Sequence, residues 1–262
     1  MVIFKKIGLP IISVLGIIGA LYALAFALNS EIVAPSPNLI FKEFVALFKT
    51  KNFIKSAFLT LWRSTYSFLI AFLVALIFAV LANKSEIVER LFYPVTVIFR
   101  AMPTMAIILL CLIWLKASKS PSAISFIVVF PMLYSAILSS LRAQDKKLLE
   151  MARVYGVSGA TVLFKLVFPQ VLSALVPQLI STFSFNIKLV IAGEAMAYTK
   201  LSIGVMMSSA SSAFETARLL ALATVAIILS FLVEFLLKGL CKIIKEVAYG
   251  YNRKKAEQIV RG

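Results

Sequence analysis

The stretch QDKKLLEMARVYGVSGATVLFKLVFPQ, residues 144–170, is the only long charged interruption between apolar spans in the second half of the chain. Its pattern predicts one helix, a break and a second helix. Asp145 is placed to cap the first helix and Gly156 to end it, because glycine enters the left-handed conformation without steric cost. Apolar residues recur along one face of this helix at i, i+3, i+4 and i+7, namely Leu148, Met151, Ala152 and Tyr155.

The second half of the same stretch predicts a shorter helix. Ser158 is placed to cap it, and the helix is predicted to run through Leu166. Pro169 is then predicted to begin the next span, since its φ is already set for a helix start. Charged residues occupy the other side of the first helix, where ion pairs can form among Lys146, Glu150 and Arg153. Periodicity alone also allows such a helix pair simply to lie on lipid headgroups.

The composition is that of an integral membrane protein. Of the 262 residues, 61% are hydrophobic, against about 45–50% in soluble domains, and the mean hydropathy is +1.00. The chain contains no histidine, which excludes histidine-based catalysis, metal ligation and pH switching. Cys111 and Cys241 both fall in apolar stretches, so no disulfide framework is predicted. We therefore expect residues 1–262 to form a single all-α membrane domain.

Apolar runs predict about six transmembrane helices. They lie near residues 9–28, 57–82, 91–115, 122–141, 171–197 and 217–240. We expect the third run to be broken at Pro94 and Pro103 and the fifth to be interrupted at Pro177 and Gly193. Polar connections are predicted at residues 83–90 and 198–215, and a basic tail covers residues 242–262.

The net charge of +16 could indicate nucleic-acid binding, but the basic residues flank apolar spans instead of forming a patch. With the N-terminus inside, Lys and Arg are about twice as numerous on the cytoplasmic side as on the opposite side. This bias predicts that both termini, and residues 144–170, lie in the cytoplasm. We expect a multi-pass protein of the bacterial inner membrane. The lipid bilayer is then its environment, and no nucleic acid is expected as a partner.

Four charged residues of the first five predicted spans are candidates for function, because an unpaired charge within a span costs roughly 2.5–3.5 kcal/mol. They are Arg63, Arg100, Lys188 and Glu194. One hypothesis is that they line a substrate path. The alternative is structural: Arg63, Arg100 and Glu194 satisfy one another or backbone carbonyls between packed helices. Lys188 and Glu194 are six residues apart, about 240° around a helix, so they form no simple pair on one face.

No motif in the sequence predicts catalysis. A phosphate-binding loop, a Gly-x-Ser-x-Gly turn and a metal-ligand cluster are all missing. We therefore expect no catalytic residue, no metal site and no cofactor on this chain, and any ATP hydrolysis must occur on another protein.

The order Glu150-x-Ala152-x-x-x-Gly156, nine residues, then Leu166-x-Phe168-Pro169 resembles the EAA loop of ABC importer permeases. Met151 stands in place of the middle alanine of that loop. The likeness extends over about residues 35–240 and is greatest with the permeases for nitrate, taurine and aliphatic sulfonates. The segments that carry it include Pro35-Ser36-Pro37, Thr60-Leu61-Trp62-Arg63, Arg100 to Ala106, Ala192-Gly193-Glu194 and Ile203-Gly204. The glycine expected after Trp114 is absent.

This resemblance implies a type I importer fold with cytoplasmic coupling helices. It also implies a homodimer that works with two ATPase subunits, which bind ATP and Mg²⁺, and with an external solute-binding protein. A small anion such as nitrate, a sulfonate or taurine would cross by alternating access. The residues of the coupling loop that would contact or orient the ATPase are Glu150, Ala152, Arg153, Gly156, Ser158 and Pro169.

Three other functions remain open at this point. An ATP-independent channel or ion-coupled carrier could use Arg100, Lys188 and Glu194 as an ion path, although carboxylates within the spans are few. An importer could instead carry a heterocycle of the thiamine-precursor kind. A membrane scaffold is also compatible with the composition, but it gives the spacing of the loop motif no role.

Overall fold

The structure, a computed structural model, describes residues 9–28 and 30–261, in the terminal helices partly by backbone alone. The N-terminal residues 1–8, on which part of the orientation prediction rests, lie outside the described residues. No strand occurs in the described part of the chain, which confirms the all-α prediction. The helices are α1 (Leu9–Leu28), α2 (Pro37–Lys49), α3 (Phe53–Lys84), α4 (Glu86–Ala101), α5 (Thr104–Trp114), α6 (Ser120–Arg142), α7 (Lys146–Val154), α8 (Gly159–Val162), α9 (Phe168–Ala197), α10 (Ile203–Ser212) and α11 (Thr216–Arg261).

Four helical segments of the described chain are long and apolar enough to cross a bilayer. They are Phe53–Lys84, Ser120–Arg142, Gly159–Ala197 and Thr216–Gly239. The helices α4 and α5 together form a fifth candidate. α1 is 20 residues long, and its stretch from Gly19 to Leu28 is apolar. With α1 as a further span, this arrangement agrees with the prediction of about six transmembrane helices.

The predicted third span, residues 91–115, is a broken pair of helices, α4 and α5, which meet at an angle of 99°. Met102 has φ −65° and ψ 130° and lies directly before Pro103. A proline ring disfavours the helical conformation in the preceding residue, so α4 ends before Met102 and α5 begins after Pro103. Pro94, which was also predicted to break this span, lies inside α4 without ending it.

The interruption of the fifth span predicted at Pro177 and Gly193 is wrong, because α9 runs through both residues. Gly193 instead lets α9 approach α6 closely. A Cβ atom at Gly193 would lie 3.0 Å from Cδ1 of Ile124 and 3.1 Å from Cα of Pro121. The glycine is therefore explained by helix packing, which the local sequence does not reveal.

Both predicted polar connections are mostly helical. α3 and α4 are separated only by Ser85, so residues 83–90 form no loop. Residues 198–215 contain α10, whose N-cap Ser202 accepts a hydrogen bond from the N–H of Val205 at 3.1 Å. α11 continues past the predicted end of the last span to Arg261, so the predicted basic tail is a helical extension.

The core lies between α3, α6 and α9. Every fourth residue on one face of α3 is a fully buried alanine, at Ala71, Ala75 and Ala79. These small side chains let α3 approach α6, and they belong to the same buried cluster as Val129 and Leu133 of α6.

Polar side chains join the same three helices at one level. Asn186 of α9 is fully buried and donates from Nδ2 to the carbonyl oxygen of Ser64 at 2.8 Å. Its Oδ1 is hydrogen-bonded to the hydroxyl of Ser125 on α6. The Ser125 oxygen also lies 2.8 Å from Oγ of Ser67 on α3. A hydrogen-bonded group of this kind satisfies polar atoms that lipid could not, and it fixes the rotation of each helix.

α10 packs against the end of α9 through Gly204. A Cβ atom there would lie 2.4 Å from the carbonyl oxygen of Ile191, 2.5 Å from Cβ of Glu194 and 2.6 Å from the amide nitrogen of Ala195. Two of these three atoms belong to the backbone and cannot move aside independently of α9. This position therefore requires glycine.

We predict that Gly204→Ala destabilises the chain by about 1–3 kcal/mol, because the methyl group overpacks the contact between α10 and α9. The measurement is the thermal unfolding midpoint of the purified protein in mild detergent. Gly159→Ala is the matched control, since a Cβ atom at Gly159 meets no atom within 4 Å. Equal midpoints for the two variants would contradict the requirement for glycine at position 204.

Candidate functional site

Residues 144–170, which we call the α7–α8 segment, leave the packed helices between α6 and α9. α7 begins at Asp145, whose Oδ1 accepts a hydrogen bond from the N–H of Lys147 at 2.9 Å, as predicted for an N-cap. The N–H of Asp145 donates to Oε1 of Gln170 at 3.4 Å. The two ends of the segment are therefore held together at the base.

Gly156 ends α7 with a φ of +64°, which confirms its predicted left-handed conformation. Its N–H donates to the carbonyl oxygen of Arg153 at 3.0 Å, and the N–H of Val157 donates to that of Ala152, also at 3.0 Å. This pair of bonds is the Schellman motif, which satisfies the last carbonyl groups of the helix. The motif defines the angle at which the chain leaves α7.

The hydroxyl of Ser158 caps α8 by accepting from the N–H of Thr161 at 3.4 Å, as predicted. The predicted end of this helix at Leu166 is wrong. α8 continues through a π-helical turn, Leu163–Val167, directly into α9, so Pro169 begins no separate helix. Because proline has no N–H and its ring collides with the carbonyl four residues earlier, a widened turn lets the helix pass Pro169 without breaking.

Most of the large apolar side chains of the α7–α8 segment are exposed. On the predicted apolar face of α7, Leu148, Met151 and Tyr155 are 39%, 53% and 78% exposed. Glu150 and Arg153 are exposed as well, and these two described side chains form no ion pair with each other. The predicted apolar face of α7 is therefore not used for packing within the chain.

A second group of functional candidates meets where α3, α9 and α10 join. Glu194 is fully buried, and its Oε1 lies 2.8 Å from Nη1 of Arg63. The hydroxyl of Thr60 lies 2.9 Å and 3.1 Å from the two carboxylate oxygens, and the N–H of Gly204 donates to Oε2 at 3.4 Å. The carboxylate of α9 is thus surrounded by donors from two other helices, α3 and α10.

The same group also holds the turn that precedes α10. Arg63 donates from Nη1 to the carbonyl oxygen of Leu201 and from Nη2 to that of Lys200, both at 3.3 Å. Thr60 accepts from the N–H of Ile203 at 3.1 Å. Removing one member of a buried ion pair typically costs about 3–5 kcal/mol, because the other charge is left without compensation.

Arg100 does not join this group. It is exposed and lines a cavity of about 620 Å³ between α4 and α6. We call this cavity the α4–α6 cleft, and it is lined by Glu89, Tyr93, Thr96, Val97, Arg100, Tyr134, Ser135, Leu138, Ser139, Arg142 and Ala143. The structural hypothesis that joined Arg63, Arg100 and Glu194 therefore holds only for Arg63 and Glu194.

Lys188 lies in a different cleft, between α9 and α11, with a volume of about 490 Å³. Glu234 and Lys238 of α11 line the same cleft and form an ion pair with each other at 2.6 Å. Within one chain, Arg100 and Lys188 thus do not share a cavity. Lys188 and Glu194 do not pair either, as their spacing predicted.

No functional or packing role was predicted for Thr60, Gly204 or Tyr134. The spacing of Thr60 and Arg63, three residues apart, was a usable signal, because it places both side chains on one face of α3 toward Glu194. The role of Gly204 depends on a contact with a distant helix, and the position of Tyr134 depends on how α4 packs on α6.

Comparison with known proteins finds a matching protein family. Residues 68–245, more than half of the chain, match the family described as "Binding-protein-dependent transport system inner membrane component". The taurine transport system permease protein TauC of Escherichia coli K12 is 24% identical over 222 residues, which cover 81% of this chain and 79% of TauC.

Two solved structures share the fold. A crystal structure of an amino acid ABC transporter with histidines superposes with a TM-score of 0.61 at 18% identity, covering 78% of this chain and 97% of the other. An inward-facing structure of the MetNI methionine ABC transporter superposes with a TM-score of 0.59 at 14% identity, covering 75% and 96%. The chain therefore belongs to the family of binding-protein-dependent transport system inner membrane components, and it has the type I ABC importer permease fold.

Proposed function

We propose that this chain is the membrane-spanning subunit of an ABC importer that moves a small anionic solute inward, driven by separate ATPase subunits. The observation that carries the proposal is the α7–α8 segment. It has a defined cap at each helix and a defined turn at Gly156, yet it exposes its apolar side chains. A surface this ordered and this apolar fits a docking site for another protein.

The proposed mechanism uses the continuity of α8 and α9. When the ATPase subunits close, they push on α7 and α8. Because the helix continues from Gly159 to Ala197, this movement passes into a membrane span instead of being absorbed by a flexible loop. Glu194 lies 26 residues beyond Phe168, about 39 Å along the helix. Tilting of α9 then reaches the contacts with α3 and α10, and this would provide alternating access.

A second copy of the chain is part of the proposal. Several polar side chains of α9 are exposed in the single chain, among them Gln178, Ser181 and Lys188. Polar groups on a membrane-spanning helix normally face other helices or a water-filled path rather than lipid. We propose that this side of α9 faces the partner subunit of a homodimer and the path between the two copies.

The solute and the orientation are proposed on different grounds. The likeness to a taurine transport permease supports a small sulfonate, with nitrate as a related anion. Arg100 and Lys188 each line a cleft, which is compatible with an anion. The bias of basic residues supports a bacterial inner-membrane location with both termini and the α7–α8 segment in the cytoplasm. A solute-binding protein would then deliver the solute on the outer side.

The first prediction from the proposed function concerns the ATPase. The tagged full-length chain, purified in mild detergent, is expected to retain a stoichiometric ATPase with a phosphate-binding loop. Glu150→Lys reverses an exposed charge on α7 and is expected to abolish this association. Glu86→Lys is the control, since Glu86 is also exposed but lies on α4. A stable oligomer without an ATPase, isolated from membranes that express the candidates, would overturn the importer proposal in favour of a channel or carrier.

The second prediction concerns coupling. Gly156→Pro forces φ toward about −65°, whereas the native φ is +64°, and it removes the N–H that bonds to Arg153. We expect normal membrane insertion and ATP hydrolysis, but at least a tenfold loss of solute uptake per ATP in proteoliposomes. Gly159→Ala serves as the control, because the space around it is open. Wild-type coupling in Gly156→Pro would show that the turn is not needed for transmission.

The third prediction concerns the outer end of α9. Glu194→Gln leaves Arg63 without its counter-ion and is expected to destabilise the chain by about 3–5 kcal/mol. The double variant Arg63→Gln, Glu194→Gln should recover part of this loss, because neither charge remains buried alone. Thermal unfolding of the four proteins of this cycle gives the coupling energy. Additive losses in the double variant would mean that the two residues do not act as a pair.

A further inference from the structure

The α4–α6 cleft carries one positive charge, that of Arg100, which no described residue neutralises. Arg142, at the end of α6, donates from Nη1 and Nη2 to the two carboxylate oxygens of Glu89, both at 2.6 Å. This bidentate pair uses the only carboxylate that lines the cleft. Arg100 also lines it, and among the described residues it has neither an ion-pair nor a hydrogen-bond partner.

The cleft also contains an unused hydrogen-bond donor. Tyr134 of α6 is only 4% exposed, and its hydroxyl has no hydrogen-bond partner among the described residues. Leaving such a group unpaired typically costs about 1–3 kcal/mol. The ring is held in place by aromatic neighbours, with its centroid 6.2 Å from that of Phe92 and 6.3 Å from that of Phe130. The Tyr134 hydroxyl is therefore a buried donor that no described residue uses.

The arrangement along the cleft follows from the two helices that form it. The Glu89–Arg142 pair closes one end, where α6 leads into the α7–α8 segment. Arg100 lies eleven residues further along α4, about 16 Å from the level of this pair. Tyr134 lies eight residues back along α6, about 12 Å from the same level, and therefore between the two ends.

The rest of the lining suits a small polar molecule. Thr96, Ser135 and Ser139 add hydroxyl groups, and Val97 and Leu138 add apolar surface. A volume of about 620 Å³ lies within the range of roughly 300–1,000 Å³ that is usual for small-molecule sites. An arginine without a counter-ion attracts oxyanions, and a phenol in the same cleft can donate a hydrogen bond to one.

We propose that the α4–α6 cleft binds the acid group of a small organic anion, a sulfonate, carboxylate or phosphonate. Arg100 supplies the opposite charge and the Tyr134 hydroxyl supplies a hydrogen bond. The Glu89–Arg142 pair closes the end next to the α7–α8 segment. The inference rests on the proposed function insofar as a dissolved ligand here would be the transported solute. The same oxyanion chemistry is present in a lipid phosphate, and the test separates the two sources.

The test uses the full-length chain in nanodiscs. In neutral phosphatidylcholine nanodiscs, the thermal midpoint is followed by tryptophan fluorescence while ethanesulfonate, acetate or methylphosphonate is added at constant ionic strength. In a second arm, phosphatidic acid replaces part of the lipid and no acid is added. The variants are Arg100→Gln and Tyr134→Phe. Their controls are Arg90→Gln, on the same helix but outside the cleft, and Tyr22→Phe, an exposed tyrosine.

We expect at least one of the three acids to raise the midpoint of the wild-type chain. Its half-saturating concentration should rise at least tenfold in Arg100→Gln and in Tyr134→Phe and stay unchanged in both controls. Because the Tyr134 hydroxyl has no protein partner, a purely structural role predicts no such change on its removal. If only phosphatidic acid stabilises the chain, with the same dependence on the two variants, the site is an oxyanion site for lipid headgroups.

The proposal is overturned if neither the acids nor phosphatidic acid raises the thermal midpoint. It is also overturned if the half-saturating concentration changes equally in Arg90→Gln and Arg100→Gln, because that result would indicate general charge screening. Neither result bears on the importer function, which is judged separately by retention of the ATPase. Retention of the ATPase without anion binding would reject only the cleft. Anion binding without an ATPase would reject only the importer.

Discussion

The burial of Glu194 is the interaction on which the packing of α3, α9 and α10 against one another depends. A carboxylate with no exposed surface inside a membrane protein must be compensated, and the chain does so with donors from α3 and α10. Arg63 and Thr60 fix the face of α3, while Gly204 allows α10 to come close enough for its N–H to reach the carboxylate. The glycine at position 204 and the charges of Arg63 and Glu194 therefore belong to the same packing arrangement.

At the other end of α9 the constraint is one of backbone continuity. Pro169 would ordinarily end a helix, yet the π-helical turn before it carries the hydrogen bonding past the proline ring. The exposed α7–α8 segment is consequently attached to a long helix whose far end is anchored at Glu194. In the mechanism that we propose, a load applied to the segment passes into this continuous helix and reaches its anchored end within the membrane.

The success of sequence reasoning followed the range of the interactions involved. Asp145, Gly156 and Ser158 were placed correctly because caps and left-handed turns depend on a few neighbouring residues. The 99° angle of the bend, the uninterrupted course of α9 and the helix α10 depend on how distant helices pack, and they were missed. Pro94 and Pro177 were wrongly predicted to interrupt helices, whereas the break predicted at Pro103 is confirmed. For Gly193, a packing requirement was mistaken for a break.

The charges within the spans separate into two classes once their surroundings are known. Arg63 and Glu194 neutralise each other, and Arg63 also donates to two backbone carbonyl oxygens, so the fold already uses both charges. Arg100 and Lys188 each line a cleft in which the carboxylate already pairs with another cation, Arg142 in one and Lys238 in the other. Neither charge is neutralised by a described residue, and both side chains are exposed. The same type of residue thus stabilises the fold where it has a partner, whereas the unpaired charges of Arg100 and Lys188 support the anion binding that we propose.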